Sequence, residues 1–483
     1  KQAPTVPGTS GPLEGRILSI LARYEQDRAN WGIRARSRAK GDDLVSLNAG
    51  RLYMPASNLK LLVAATALDL LGPDFRYSTT VMADGETIAS DSLLDGDLVV
   101  RGSGDPTISD RFYPSPRTVW SKLAEEVAAA GIRRVTGSLV VDNTMFEPPF
   151  LAKGWGWEDL MWYYAAPVSA LAFNDNCMDV EVFPASRVGE SPEVRVKPAG
   201  YRVRLLNRAL TVSRRKDSRV IISRNTPGGE IVIKGGIYRR SPGFREHVAV
   251  DNPAEFAAWA FADELARLGV RIDGPVRVLE APLDNPRYLD RSPLILAQHL
   301  SVGLNEIVKV ILKFSHNFYA DQLLFTLGAH LGHKGSFTEG LAVEKLLLRK
   351  AGADTRKINL EDGSGLSRLN LVTPETFVRL LAYMDKRPAG EVFRSSLSVA
   401  GRDRGMSLMR NTAAEDRVFA KTGFITSVMA LSGYALTSDG EKVAFSILGN
   451  NWTTISRRRA RRLIRDLCVE IAGFRRGGES GGE

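Results

Sequence analysis

The sequence has little cysteine and no long apolar segment, and both absences narrow the classes of protein it can belong to. It contains two cysteines and five histidines in 483 residues. A chain of this length can bury several cores without disulfides or metal ions, and about 150 residues per domain suggests two to four domains. No run of about 18 apolar residues occurs, so no transmembrane helix is predicted.

The two cysteines, Cys177 and Cys468, lie far apart in the sequence, and Cys468 falls in an apolar helical pattern. Two separate buried thiols are the preferred interpretation. The alternative, a single bridge, would require an oxidising compartment.

A secretion signal is also lacking. Residues 1–11 contain no apolar segment of the kind that such signals carry, and the chain has no starting Met. We expect a mature or trimmed form without its targeting segment, so the compartment has to be inferred from function.

Acidic residues are outnumbered, and the formal net charge is +10. Such an excess suits an anionic partner, but the Lys and Arg residues are scattered and no nucleic-acid motif accompanies them, so nucleic acid is not predicted as a partner. The densest run, residues 456–465, falls in the last predicted helix. A solvated helix face is the preferred interpretation, and peripheral contact with an anionic envelope surface is the alternative.

Hydrophobic periodicity divides the chain into an α/β segment, a long β-rich insertion at about 76–245 and a second α/β segment. The final strands need partner strands and a helix from the N-terminal part, so we expect the outer segments to form one domain. Helices are predicted over 12–25, 57–72, 253–268, 304–312, 319–331, 338–351, 374–385 and 453–471. Strands outside the insertion are predicted at 31–33, 44–47, 275–282, 417–421, 430–436 and 442–448.

Three short motifs occur in a meaningful order: S-x-x-K at Ser57–Lys60, S-x-N at Ser315–Asn317 and K-T-G at Lys421–Gly423. S-x-x-K also begins at Ser37 and at Ser213, but both lie in polar, cationic stretches. Only Ser57 leads directly into an apolar helix, and K-T-G occurs once.

The first motif suits nucleophilic catalysis. Three residues apart on a helix, Ser57 and Lys60 share one face, and a helix N-terminus favours developing negative charge. A serine hydroxyl needs a nearby base, and a lysine can be that base when burial and neighbouring cations lower its pKa. The alternative for Ser57 is a simple N-cap.

The second motif precedes another helical stretch. Ser315 is predicted to relay a proton to the leaving amine, and the amide of Asn317 to hold Lys60 and the substrate backbone. A helix cap is again the alternative.

The third motif is expected on an edge strand. There Lys421 and Thr422 could bind a substrate carboxylate, and Gly423 would let the substrate backbone approach closely. The N–H groups of Phe424 and Ser57 could form an oxyanion hole. The three motifs together are the signature of penicillin-binding proteins and class A β-lactamases.

Other catalytic constellations are absent from the sequence. The nearest approach to G-x-S-x-G, at Asp362–Gly365, has Asp in the first position, and no H-E-x-x-H occurs. His330 and His333 have no accompanying carboxylate cluster. No metal and no cofactor is therefore expected.

With these motifs the chain resembles the low-molecular-mass penicillin-binding proteins of the D-Ala-D-Ala carboxypeptidase/endopeptidase type, which carry large insertions. The resemblance runs from about residue 14 to 472, and the wide gap between the first two motifs is part of it. Further matching stretches are 102–106, 154–167, 174–176 and 362–370.

The resemblance implies an α/β (α+β) fold: a serine transpeptidase/β-lactamase-like catalytic domain, with an antiparallel sheet flanked by helices, and two nested β-rich inserted domains. The implied catalytic domain is 1–78 plus 292–483. The second domain would be 79–165 plus 245–291, and the third 166–244.

The resemblance also implies a periplasmic enzyme of peptidoglycan remodelling. Its Ser57 would be acylated by the peptidoglycan stem peptide and, covalently, by β-lactam antibiotics. Where the third stem residue has a zwitterionic end, Asp159 would meet the ammonium group and Arg368 the carboxylate, with Thr426 also at the substrate. A local ion pair or cap is the alternative for Asp159 and for Arg368.

One position departs from the family pattern: Phe424 stands where a small hydroxyl residue usually follows K-T-G. A bulky side chain there is expected to narrow the cleft or change the leaving-group preference. Two alternative functions are a catalytically silent cell-wall-binding protein and a β-lactamase, although the E-x-x-L-N pattern of class A enzymes is absent.

Overall fold

The computed structural model describes residues 12–24, 29–198, 203–224, 228–280, 293–452 and 456–476. The chain divides into two compact units. The first unit comprises Lys1–Phe75, Gly303–Leu323 and Leu341–Glu483, and the second comprises Arg76–Val302 and Leu324–Gly340.

Among the described residues the α-helices are α1 (Pro12–Arg23), α2 (Lys60–Leu70), α3 (Arg117–Ala129), α4 (Pro253–Arg267), α5 (Leu304–Lys313), α6 (Asn317–Leu331), α7 (Phe337–Lys350), α8 (Pro374–Met384), α9 (Gly390–Ser395) and α10 (Arg457–Gly473). The strands are β1 (Asn30–Ser37), β2 (Asp43–Leu47), β3 (Ser78–Ile88), β4 (Leu93–Arg101), β5 (Arg134–Val135), β6 (Leu139–Asp142), β7 (Cys177–Phe183), β8 (Glu193–Lys197), β9 (Leu205–Val212), β10 (Arg219–Arg224), β11 (Ile231–Tyr238), β12 (Phe244–Ala249), β13 (Arg271–Ile272), β14 (Val276–Leu279), β15 (Leu294–Leu300), β16 (Ser398–Val399), β17 (Val418–Ile425), β18 (Val428–Leu436) and β19 (Lys442–Asn450).

The first unit is built on one six-stranded sheet with the order β16-β17-β18-β19-β1-β2. Every neighbouring pair in it is antiparallel. β1 pairs with β19 from Asn30 opposite Asn450 to Ser37 opposite Val443. The N-terminal and C-terminal segments of the chain are therefore joined in a single sheet.

Helices cover both faces of this sheet. On one face α1 and α10 contact each other and bury their apolar stripes against the strands. On the other face lie α8, α2 and a short 3₁₀ helix, Ala56–Leu59. This is the helix-flanked antiparallel sheet that the sequence predicts for the catalytic part.

The helix α2 is deeply buried in the first unit. Residues 60–68 are all buried, as expected for a helix that is apolar on every side. It ends at Leu70, and Gly72 follows with a φ of +84°, a left-handed conformation suited to glycine. Lys60 is the first residue of α2, and five apolar residues follow it, so an amine lies at the start of a buried, apolar stretch.

The described residues of the second unit form three sheets. The largest has the order β13-β5-β4-β3-β15, with β6 joining β4 to β14, and the smaller sheets are β10-β11-β9 and β12-β7-β8. α3 and α4 contact each other, and the ring of Trp120 lies 5.3 Å from that of Phe261 and 6.0 Å from that of Phe173. This aromatic cluster belongs to the apolar core that α3 and α4 share with the large sheet.

The elements of the second unit that were not predicted from the sequence include β13, β15 and the helix α3. The interpretation of residues 76–245 as β-rich omits α3, which lies inside that stretch. Its buried residues follow helical spacing, but Gly- and Pro-rich strand segments surround them and dominated the pattern. The buried residues of α3 are Val119, Trp120, Leu123, Ala124 and Val127.

The cysteines and the apolar segments agree with the sequence. Cys177 and Cys468 are both buried and free, and burial raises the pKa of both thiols. Across the described ranges, no helix is long and apolar enough to cross a membrane. Residues 453–455, at the start of the predicted helix 453–471, lie outside the described residues.

Candidate active site

Ser57 lies in the 3₁₀ helix Ala56–Leu59, one residue after a strained position. Ala56 has a φ of +45°, in the left-handed region that non-glycine residues rarely adopt. The side chain of Ser57 caps neither helix: Pro55 and Leu59 occupy the cap positions. The alternative interpretation of Ser57 as a simple N-cap is therefore wrong.

The 3₁₀ helix is tied to the sheet by a buried hydrogen-bond chain. Asn58 Nδ2 donates to Ser432 Oγ at 2.7 Å, and Ser432 Oγ donates to Ser446 Oγ at 2.8 Å. Ser432 and Ser446 belong to β18 and β19. Buried polar chains of this kind fix a single geometry, so Ser57 has a rigid support.

Lys60 is fully buried and lies at the centre of the first group of polar contacts. Its Nζ donates to Ser57 Oγ at 3.1 Å, to Asn317 Oδ1 at 2.7 Å and to the Ser364 carbonyl oxygen at 2.5 Å. These contacts use all three donors of a lysine ammonium group. The S-x-x-K and S-x-N motifs thus meet at one atom.

Burial governs the charge of Lys60. Desolvation lowers the pKa of Lys60 to about 8, although the carboxylates of Asp321 and Asp362 oppose the shift. An amine with such a pKa exists partly in its neutral form near neutral pH. The site therefore contains a base beside the Ser57 hydroxyl.

Lys421 forms the second group of contacts. Its Nζ donates to Ser315 Oγ at 2.9 Å and to the Thr422 carbonyl oxygen at 2.6 Å. Burial, together with the positive charge of Lys60, lowers the pKa of Lys421 well below its usual value. Ser315 has a φ of +61° in the turn between α5 and α6, which directs this residue toward the K-T-G strand.

The K-T-G strand β17 has a free edge beside the serine. Its neighbour β16 pairs only with Phe419 and Ala420, and beyond Ala420 the described residues supply no strand on that side. A Cβ at Gly423 would lie 2.9 Å from the Pro55 carbonyl oxygen and 3.1 Å from Asn58 N. Glycine is therefore required where β17 passes the 3₁₀ helix.

Phe424, the departure from the family pattern, packs against Trp452 and Arg457. Its ring lies 6.1 Å from that of Trp452, and the Arg457 guanidinium lies 4.2 Å from its centroid. It also packs against the apolar cluster that includes α10. The backbone N–H of Phe424 lies in the part of β17 beyond Ala420, where the described residues supply no neighbouring strand on the side of β16.

A loop that the sequence analysis left without a role supports Lys60. Asp321 Oδ1 accepts hydrogen bonds from the N–H groups of Gly363 at 2.8 Å and Ser364 at 3.0 Å. Ser364 in turn provides the carbonyl that Lys60 contacts. Asp321 follows Asn317 by four residues on α6, and this spacing, which places both on one helix face, was the available signal.

The same loop is closed by Asp362. Its Oδ1 accepts from Gly365 N at 2.7 Å and from Asn370 Nδ2 at 2.8 Å, and its Oδ2 accepts from Ser367 N at 2.7 Å. A Cβ at Gly365, whose φ is +80°, would lie 1.9 Å from the Ala56 carbonyl oxygen. The loop 362–370 is thus held directly against the helix that carries the serine.

The three remaining predicted residues are placed as follows. Arg368 is exposed, and its Nη2 donates to the Thr426 carbonyl oxygen at 3.2 Å. Asp159 belongs to the second unit, where its Oδ1 accepts from the Tyr164 hydroxyl at 2.9 Å. The structure brings Arg368 and Thr426 together at the end of β17, and it leaves the role of Asp159 as a prediction.

Comparison with known proteins gives the family. The model of the D-Ala-D-Ala carboxypeptidase 3 (S13) family matches residues 13–471. The chain belongs to this family. It is 36% identical over 450 residues to a D-alanyl-D-alanine carboxypeptidase of an Actinomadura species, with 91% of this chain and 81% of that protein covered.

A second relative is matched both in sequence and in structure. The chain is 27% identical over 445 residues to the D-alanyl-D-alanine carboxypeptidase DacB of Haemophilus influenzae, covering 90% and 88% of the two chains. The crystal structure of penicillin-binding protein 4 (DacB) from that organism matches with a TM-score of 0.81 at 26% identity, covering 95% of this chain and 99% of that one. A structure of it in complex with a β-lactam matches with a TM-score of 0.75.

As a member of the S13 family, the chain is a serine-type peptidase of the penicillin-binding class. The family resemblance and the α/β fold that it implies are confirmed. Within the described ranges, no group of three or more His, Cys, Asp or Glu side chains could hold a metal ion.

Proposed function

We propose that Ser57 is the nucleophile of a D-alanyl-D-alanine peptidase that forms an acyl-enzyme with peptidoglycan stem peptides. One observation carries this proposal: the buried Lys60 Nζ lies 3.1 Å from Ser57 Oγ and 2.7 Å from Asn317 Oδ1. The distance from Lys60 Nζ to Ser57 Oγ is one at which a base can take the proton of a nucleophile.

In the acylation step, neutral Lys60 takes the Ser57 proton while Ser57 Oγ bonds to the carbonyl carbon of the D-Ala-D-Ala peptide bond. The electron pair of the carbonyl moves to its oxygen. The backbone N–H groups of Ser57 and Phe424 stabilise that oxyanion, because fixed dipoles at developing charge lower the barrier.

Collapse of the tetrahedral intermediate breaks the C–N bond, and the proton that Lys60 took passes through the Ser315 hydroxyl to the leaving amine, so Lys60 becomes neutral again. The contact of Ser315 Oγ with Lys421 Nζ, at 2.9 Å, holds the hydroxyl for this path. Water then attacks the ester while Lys60 takes a proton from that water, and Lys60 gives this proton to Ser57 Oγ as the ester C–O bond breaks. Removal of a terminal D-alanine is carboxypeptidase activity, and the same steps on a cross-bridge with a D-Ala donor are endopeptidase activity.

The substrate lies along the free edge of β17. An extended peptide can add to such an edge by main-chain hydrogen bonds, and Gly423 permits its close approach. Thr422 and Lys421 bind the terminal carboxylate. Where the third stem residue ends in an ammonium and a carboxylate group, Asp159 binds the first and Arg368 the second, with Thr426 holding Arg368 in place.

β-Lactams acylate Ser57, and the acyl group that they place on the serine is hydrolysed slowly. The chain acts in the periplasm, where the peptidoglycan lies.

The catalytic domain consists of 1–78 and 292–483, into which the domains 79–165 plus 245–291 and 166–244 are inserted. The family match and the β-lactam complex of its Haemophilus relative support these statements.

Release of D-alanine from a diacetyl-L-Lys-D-Ala-D-Ala tripeptide tests the proposal. We expect turnover by the wild type, and a loss of at least about 10³-fold in Ser57→Ala because the nucleophile is gone. Ser213→Ala is the matched control, since Ser213 also starts an S-x-x-K sequence but is exposed in the second unit. A folded wild type that releases no D-alanine would favour the silent cell-wall-binding protein.

A further inference from the structure

A small cavity lies on the face of β17 opposite Lys421. Its volume is about 100 Å³, and since a water needs roughly 10–15 Å³ of such space, several waters or a carboxylate group would fit. Thr422, Gly423 and Phe424 line one side, and Arg461 and Arg465 of α10 line another. The rest of the wall is largely apolar: Met406, Leu408, Met409, Met429, Leu431 and Ile464.

The alternation of side chains along β17 connects this cavity with the substrate edge. Lys421 faces the site and contacts Ser315, so Thr422, the next residue, faces the opposite side. The Thr422 hydroxyl lies on the cavity side, near Gly405, where an added Cβ would be 3.4 Å from Thr422 Oγ1. A carboxylate held by Thr422 therefore lies at the mouth of the cavity.

The charge of the cavity is positive. Arg461 is exposed, and no carboxylate among the described residues is paired with it. Arg465 is paired with Asp466 at 2.6 Å, and Asp466 in turn accepts from the Tyr24 hydroxyl at 2.6 Å. The Arg465 side chain is thus fixed in place, while Arg461 keeps its full charge at the rim.

Phe424 and Arg457 complete the surroundings. The cation of Arg457 is held over the Phe424 ring, as guanidinium groups commonly are on aromatic faces. The position after K-T-G therefore offers no hydroxyl to a carboxylate. The cations of α10 are the groups nearby that can replace it. Arg461 can offer a carboxylate two parallel donors, and Arg465 can offer the N–H groups that its hydrogen bonds to Asp466 Oδ1 leave available.

We propose that Arg461 and Arg465 bind the carboxylate of the leaving group and so determine the preference of this enzyme for substrates with a free terminal carboxylate. This inference rests on the proposed function. The arginine-rich run at the start of α10 is then not only a solvated helix face: two of its members belong to the substrate site. They act on binding, whereas Lys60 and Ser315 move protons.

The experiment compares two tripeptides, diacetyl-L-Lys-D-Ala-D-Ala and its C-terminal carboxamide. The test variant is Arg461→Gln/Arg465→Gln. The control is Arg458→Gln/Arg462→Gln, which removes the same charge from exposed positions of the same helix outside the cavity lining. A third variant, Arg461→Lys/Arg465→Lys, keeps the charge.

We expect the test variant to lose about tenfold or more in kcat/KM on the free acid, mostly through KM, because charged hydrogen bonds are lost. Its kcat/KM on the carboxamide should stay within about twofold. The control should match the wild type on both substrates, and the lysine variant should retain much of the activity on the free acid.

Equal losses on both substrates would overturn the proposal, since they would mean a distorted strand. Equal losses in the test and control variants would also overturn it, since they would mean a general effect of charge. Turnover of the free acid by the wild type stands apart from both results: its absence would refute the proposed function itself.

Discussion

Lys60 shows how burial creates a base. A lysine in water has a pKa of about 10.4 and is almost wholly protonated near neutral pH. Here removal from water outweighs the attraction of Asp321 and Asp362 and lowers the pKa of Lys60 to about 8. The protonated amine donates to all three oxygens around its Nζ, whereas the neutral amine can donate to Asn317 Oδ1 and the Ser364 carbonyl and accept from the Ser57 hydroxyl.

This pKa predicts the pH dependence of acylation. Below about pH 8 Lys60 is protonated and cannot take the Ser57 proton, so the second-order rate constant for penicillin acylation should rise about tenfold per pH unit and level off above pH 8. Stopped-flow measurements between pH 6 and 9.5 would show this rise of the rate constant and its plateau. A rate independent of pH over that range would exclude Lys60 as the base.

The residues that the motifs name could be predicted from the sequence, but their supports could not. Ser57, Lys60 and Asn317 come together as their spacing and order suggested. The Ser364 carbonyl, 304 positions away from Lys60, is a backbone acceptor, and no pattern of side chains reveals it. Asp321 acts through that backbone, which is why it too was missed.

At the scale of elements, the loop 362–370 is shaped by the hydrogen bonds of its own backbone N–H groups. Four backbone N–H groups, those of Gly363, Ser364, Gly365 and Ser367, donate to two buried carboxylates. Buried N–H groups without acceptors are costly. The carboxylates of Asp321 and Asp362 therefore determine the shape of the loop.

Asp321→Ala should disturb this loop and the amine that it holds. Two buried N–H groups lose their acceptor, so we expect the free energy of unfolding to fall by about 1–3 kcal/mol and penicillin acylation to slow by about tenfold or more. Urea denaturation and acylation kinetics measure the two effects. Asp321→Asn is the control, since its Oδ1 can still accept both hydrogen bonds, and an equal loss in both variants would contradict this role.

The helices and strands around the site were predictable because their patterns are regular. α4, α5 and α8 agree with the sequence within one residue. β1 was underestimated: it runs over Asn30–Ser37, and most of its residues are buried, so it lacks the alternation that marks a half-exposed strand.

At the scale of the whole molecule, the second unit has a core of its own. Trp120 on α3 is fully buried and contacts the rings of Phe173 and Phe261. The sequence indicated a β-rich insertion here but not this helix, because a single amphipathic helix within many short strands is a weak signal.

Trp120→Ala should therefore destabilise the protein by about 3–5 kcal/mol, the usual loss when a large buried aromatic side chain is removed. Trp157→Ala is the control, since Trp157 is 69% exposed, and we expect it to remain within about 0.5 kcal/mol of the wild type. Chemical denaturation followed by circular dichroism would measure both. A negligible loss in Trp120→Ala would contradict the packing of α3.

Acylation of Ser57 is tested most directly by intact-protein mass spectrometry after incubation with benzylpenicillin, followed by peptide mapping. We expect the mass to increase by one penicillin per chain, on the peptide that contains Ser57, in the wild type and in Ser213→Ala but not in Ser57→Ala. A wild type that stays unmodified, or an adduct on another serine, would contradict the assignment of Ser57 as the nucleophile.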